Sequence, residues 1–195
     1  TLWCPTRTGS TSISGRKARN LIKKIMVEQI QWFDRKFNFD DLHTGLFPGI
    51  VERLRGAPVR LEESIGGLSE DTLMNKQNGQ WSIKEEAGHL YDLEELWSAR
   101  LEGLLSDESE IIPADLTNRK THEAGHNSKS TEELLLQFRT SRMKLVQKLD
   151  ALNKDEVLAF SIHPRLKTKM RVIDLCYFVA EHDDHHLASI TEKKK

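Results

Sequence analysis

Residues 168–191 place the strongest constraint on how this chain can fold. Val172, Leu175, Cys176, Val179 and Ile190 recur every three or four positions, the spacing of a helix with one buried stripe. At about 100° per residue, His186 falls within about 20° of the stripe and His182 within about 60°. Asp183 also faces inward, whereas His185 lies on the far side. A buried imidazole brings two ring nitrogens that need partners. Two imidazoles four residues apart aim a nitrogen each at one point, which is the geometry of helical metal sites.

Three more segments carry the same period. Residues 48–65 form a first helix, with Pro48 in its opening turn, Pro58 expected to kink or split it, and Gly66-Gly67 ending it. Residues 82–105 form a second, opened by a Ser82-Ile83-Lys84-Glu85 capping box and striped by Ile83, Leu90, Trp97, Leu101 and Leu104. Residues 130–152 form a third, again opened by a capping box at Ser130–Glu133, with Leu134, Phe138, Leu145 and Leu149 on one side. A polar connection, 106–129, separates the second from the third, and connections of that length span a bundle or carry function. No segment alternates convincingly with period two. Hydrophobic residues are 37% and charged residues 30%, which suits long elements with wet outer faces. The expectation is one all-α four-helix bundle over 26–195.

Residues 1–25 lack apolar period and hold Arg7, Arg16, Lys17, Arg19, Lys23 and Lys24 with no acid. They read as a disordered basic extension, and an organelle transit peptide is the second reading of the same composition. The remainder carries 23 bases against 30 acids. With a net charge of -1 overall, no nucleic-acid partner is expected. Two cysteines, Cys4 and Cys176, imply no disulfide framework and a reducing cytoplasm. No stretch is long and apolar enough to span a membrane.

A third ligand has to come from another helix. His89 lies on the flank of the second helix's stripe, beside Leu93, and can reach a neighbour. Three protein nitrogens leave a coordination position open, as in reactive rather than structural zinc sites. The plain alternative is a hydrogen-bonded polar core without metal. The HxxxH pair lacks a Glu after its first His, so it is not the metalloprotease motif. Glu86-x-x-His89 matches half of a di-iron carboxylate pattern, but the chain has no second copy on its last helix. Asp183 is a candidate acceptor that fixes a ligand's tautomer, or else a partly solvated acid. Asn118, His122, His126 and His163 lie in loops that can line a substrate mouth. Trp81 and Trp97 read as core, and Cys176 as a small buried hydrophobe.

WSIKEEAGHLYDLEELW (81–97), FVAEHDDHHLASI (178–190) and ERLRGAPVRLEE (52–63) resemble signature segments of the DinB/YfiT-like superfamily, in the same order. The resemblance covers roughly residues 27–192. It implies a four-helix bundle in up-down-down-up order with a long crossover, often homodimeric, and a metal triad falling on His89, His182 and His186. The metal is expected to be divalent, zinc first, with nickel, iron or manganese after it. The family includes thiol-dependent S-transferases, using bacillithiol, mycothiol or glutathione, and proteins labelled metal-dependent hydrolases. The expected function is therefore a metal-dependent enzyme. It would transfer a small thiol or hydrolyse a small-molecule substrate, with metal-activated thiolate or water as nucleophile. The rival is a non-catalytic, metal-stabilised stress-response or binding module.

Overall fold

A computed structural model describes residues 27–76 and 79–194. The basic extension 1–25 lies outside the described residues. Residues 31–195 form one compact unit. The helices are α1 (Phe47–Ile65), α2 (Glu70–Met74), α3 (Ile83–Asp92), α4 (Glu94–Leu105), α5 (Arg119–Glu123), α6 (Thr131–Asp150), α7 (Lys154–Leu158) and α8 (Val172–Lys193). Two short strands, β1 (Phe160–Ile162) and β2 (Lys169–Arg171), pair antiparallel between α7 and α8.

Local chemistry sets the helix ends. At α3, Ser82 Oγ accepts from the Glu85 amide while Glu85 accepts from the Ser82 amide, so the expected capping box is complete. At α6 only the Ser130 half forms. Pro58 does not split α1, which runs through it as one 19-residue helix. The expected second helix is two helices in line, α3 and α4, divided at Leu93. That residue keeps helical dihedrals, and its amide still bonds back to the His89 carbonyl.

The strands correct the expectation of none, and they delay the last helix. Residues 169–171 pair with 160–162, so α8 starts at Val172 rather than 168. Three residues are too few to show alternation against background. Asp174 in the first turn of α8 accepts from the Arg171 amide and binds the Arg171 guanidinium.

Ion pairs and hydrogen bonds between helices read out their directions. Arg53 of α1 meets Glu181 of α8, and Lys194 near the end of α8 meets Ser64 of α1, so α1 and α8 run parallel. Arg55 pairs with Asp150 and Glu62 with Arg139, so α6 runs against α1. Glu94 meets Arg142 and Glu102 meets Lys148, so α3–α4 runs parallel to α6. The order is up-down-down-up. Because α4 and α6 run parallel, the chain must travel back along the bundle between them, and residues 106–130 do so.

Two hydrophobic clusters fill the interior. One holds Leu54, Trp97, Leu101, Leu145, Val179 and their neighbours. The other, toward the opposite end of α1, holds Leu61, Ile83, Leu90, Phe138 and Ile190. No described helix is long and apolar enough to cross a membrane.

Candidate metal centre

α3 and α8 run antiparallel, which brings residue 89 level with residues 182 and 186. Ring centroids of His89 lie 5.3 Å from His182 and 4.8 Å from His186, and those of the pair lie 4.4 Å apart. Each residue offers a ligand atom, and these atoms all fall within 4.8 Å of one another. All three side chains are buried.

The hydrogen bonds around two of the rings decide their tautomers. Thr121 Oγ1 gives its proton to Asp92, 2.9 Å away. It can therefore only accept from His89, so Nδ1 of His89 carries the proton at 2.9 Å and Nε2 keeps a lone pair. Glu86 accepts from His186 Nδ1, so His186 likewise keeps a lone pair on Nε2. That nitrogen faces His182 Nε2 at 3.1 Å. Two nitrogens each about 2.0–2.1 Å from a tetrahedral zinc lie roughly 3.3–3.4 Å apart, so the spacing fits. His182 Nδ1 has no hydrogen-bond partner among the described residues.

Charge states agree with that geometry. Burial, reinforced by His186, pushes His89 down to about 3. Burial likewise holds His182 well below the ordinary histidine range. Both rings are neutral at neutral pH, the form that binds metal. Burial alone would raise Glu86, but His186 and Lys193 outweigh it and hold the carboxyl at about 2. Ser189 and Lys193 occupy its other oxygen, each at 2.7 Å.

Two supports were not foreseen. Glu86 is not half of a di-iron motif but the hydrogen-bond acceptor of a ligand candidate. Its position three residues before His89 put it one turn away on α3, facing α8. The second support is the chain His89–Thr121–Asp92–His126, in which His126 Nε2 donates to Asp92 at 2.8 Å. The His126 ring lies over Gly88, where any Cβ would collide with it. Only glycine admits that approach. His126 is thus a buried prop rather than part of a mouth.

The structure also redistributes the remaining candidates. Asp183 fixes no histidine tautomer; it is fully buried against the Arg142 guanidinium. His122 is exposed and meets the edge of Trp81. Asn118 and His163 do line a cavity. Trp81 and Trp97, expected in the core, line it too, although Trp97 is also packed in the first cluster. Cys176 is a buried free thiol pushed up to about 12 by burial, the small hydrophobe expected of it.

This cavity measures about 380 Å³, within the range of small-molecule sites. The three histidines sit in its wall with Trp32, Trp81, Trp97 and Phe178. The Trp32 ring meets His182 edge-on at 4.9 Å. Trp32 was not read as a site residue, because the segment before α1 has no regular period. Its signal was four aromatics, Trp32, Phe33, Phe37 and Phe39, in eight residues.

The sequence profile of the DinB superfamily matches residues 53–190, a span that holds the three histidines and both of their supports. No curated protein matches the chain significantly. Among solved structures, YfiT from Bacillus subtilis is similar, with a TM-score of 0.73 at 18% identity. The match covers 82% of this chain and 91% of that one. YfiT is described as a probable metal-dependent hydrolase with an unusual four-helix bundle topology. The profile spans well over half of the sequence, and the helix order read from the ion pairs is that of a four-helix bundle; the chain belongs to the DinB superfamily.

Proposed function

We propose that this chain is a metal-dependent enzyme in which His89, His182 and His186 hold one divalent ion, zinc first, at the wall of a substrate cavity. One observation carries the reading. Three buried imidazoles, two with their lone pairs fixed by neighbours, converge where an aromatic cavity of about 380 Å³ begins. A polar core built for stability closes on itself, whereas this cluster leaves nitrogens facing one another beside open space.

When bound, the ion supplies Lewis acidity that brings a water or a small thiol to its reactive anion near neutral pH. The chain's own residues do the rest. Thr121 and Glu86 keep protons on Nδ1 of His89 and His186, so both rings stay aimed inward. Trp32, Trp81 and Trp97 exclude bulk water and offer flat apolar surface to a substrate. Hydrolysis and transfer of a small thiol are both within this chemistry. The similarity to YfiT favours hydrolysis as the first assay. A closed structural site would add a fourth protein ligand, and among the described residues the converging group has three. That supports turnover over a purely metal-stabilised module. A reducing cytoplasm and a homodimer complete the reading, the latter tested by mass in solution.

The test is elemental analysis of the purified chain followed by chelation. One equivalent of metal, lost together with activity toward ester, amide or thiol-plus-electrophile substrates, is the expected result. Thiol consumption that requires the electrophile separates transfer from hydrolysis. A chain that takes up no zinc, nickel, iron or manganese would overturn the proposal.

A further inference from the structure

The cavity wall is mainly apolar, and three of the polar side chains set into it, Arg100, Arg165 and His163, are hydrogen-bond donors. Arg100 lines it and is 2% exposed. Its Nε donates to the Ile112 carbonyl at 2.9 Å. Its guanidinium stacks on Trp97 at 5.4 Å from the ring centroid. Arg165 lines the same wall, and its guanidinium lies over Phe33 at 5.5 Å. Neither arginine has an ion-pair partner among the described residues. Burial and the charge of Arg165 together pull Arg100 down to about 10, so the two cations feel each other. A buried, unpaired arginine beside a second cation is costly unless an anion joins it.

His163 adds a third donor. Its Nδ1 accepts from the amides of Arg165 and Leu166, both at 3.2 Å. The ring proton is therefore on Nε2, which is buried and has no partner among the described residues. The nearby acids are already committed. Glu110 pairs with Lys167 at 3.0 Å. Asp115, at the cavity rim, accepts from Thr117 at 2.6 Å and 2.9 Å and from the Arg119 amide at 3.0 Å.

We infer that Arg100, Arg165 and His163 form an anion subsite, so that the substrate is an apolar or aromatic body bearing an oxyanion such as a carboxylate or sulfonate. The oxyanion sits on the arginines, the body lies between Trp32, Trp81 and Trp97, and the far end is presented to the histidines. This deepens the metal-dependent reading and rests on it only in taking the cavity as the substrate site. Guanidinium suits the task because its planar fork meets two oxygens at once.

The experiment compares two fluorescent probes on the full chain loaded with zinc, at one ionic strength. One is anilinonaphthalene sulfonate; the other is phenylnaphthylamine, the same rings without the charge. Energy transfer from the protein's tryptophans reports binding, and the arginine variants locate it. The sulfonate should bind at least about tenfold tighter. Arg165→Gln and Arg100→Met should each erase about tenfold of that preference, the worth of one charge-assisted contact. Binding of the neutral probe should stay within about twofold, and zinc content should not change. Should the buried Arg100 variant fail to fold, the half-exposed Arg165 variant decides alone.

A sulfonate preference that survives in Arg165→Gln overturns the subsite. So does a preference that disappears on stripping the zinc while the arginine variants retain it, because the anion then sits on the metal. Absence of energy transfer from either probe overturns it as well. A chain that binds no zinc yet shows the arginine-dependent preference keeps the subsite and removes the metal reading.

Discussion

Two polar clusters lie inside this bundle, and they solve burial in opposite ways. Around Arg142, every group is answered. Its guanidinium meets Glu94 at 2.6 Å and 3.0 Å and reaches both oxygens of Asp183. Burial alone would lower Arg142, but the two carboxylates outweigh it and keep the guanidinium charged. Burial raises Glu94 against the pull of Arg142. None of these three residues lines the cavity beside the histidines. Around His89, His182 and His186, Nδ1 of His89 and of His186 is tied to Thr121 and Glu86, while Nδ1 of His182 has no partner among the described residues. Donors and acceptors that cancel make a cross-link among α4, α6 and α8; the Nε2 lone pairs of His89 and His186 are those the proposed metal would take. His182 and Asp183 are adjacent in sequence. One residue of rotation, about 100°, sends the first to the cavity and the second to α6.

That contrast can be broken at several points. The largest effect is expected at the open cluster. His182→Ala should abolish metal retention, read as metal per chain after gel filtration, and leave the helical circular-dichroism signal in place. The closed cluster should respond in stability instead. Arg142→Ala strands two buried carboxylates and should cost about 3–5 kcal/mol in denaturant unfolding, with metal stoichiometry unchanged in the folded fraction. An equal loss of metal at both positions would erase the distinction between cross-link and site.

Smaller changes sharpen it. Thr121→Val removes the acceptor that holds His89 Nδ1 and leaves the ligand nitrogen itself. Metal affinity should fall by about 10- to 100-fold in competition with a chelating dye. An unchanged affinity would show that Asp92 and His126 do not orient the site. The smallest effect concerns pH. Burial, with Arg100 and Arg165, pushes His163 down to about 4 from the ordinary 6.5. The unfolded chain therefore binds a proton between those values that the folded chain does not, so stability falls as pH drops through the window. His163→Gln should lose less stability than the parent between pH 6.5 and 4. Parallel losses in the two proteins would mean that His163 titrates normally.

Much of this was legible in the residues themselves. The apolar periods of 48–65, 82–105, 130–152 and 168–191 located the four long helices, because a helix that buries one face must repeat at 3.6. The same arithmetic put His182 and His186 together, since residues four apart on a helix share a face whatever surrounds them. The reading of Asp183 as inward was right in direction and wrong in partner. A helical wheel states which way a side chain points but not which helix stands there.

Sequence by itself therefore determined the four long helical segments, their apolar faces and the paired histidines of α8, all of which follow from local geometry. Only the tertiary structure decided what those faces met. It carried His89 across from α3 and placed Glu86 and Thr121 behind the rings. It set Trp32 and Arg100 around one cavity and gave Asp183 to Arg142. Each of these contacts joins residues tens of positions apart, and no period along a chain encodes the distance between two helices. That distance comes from packing the whole bundle at once.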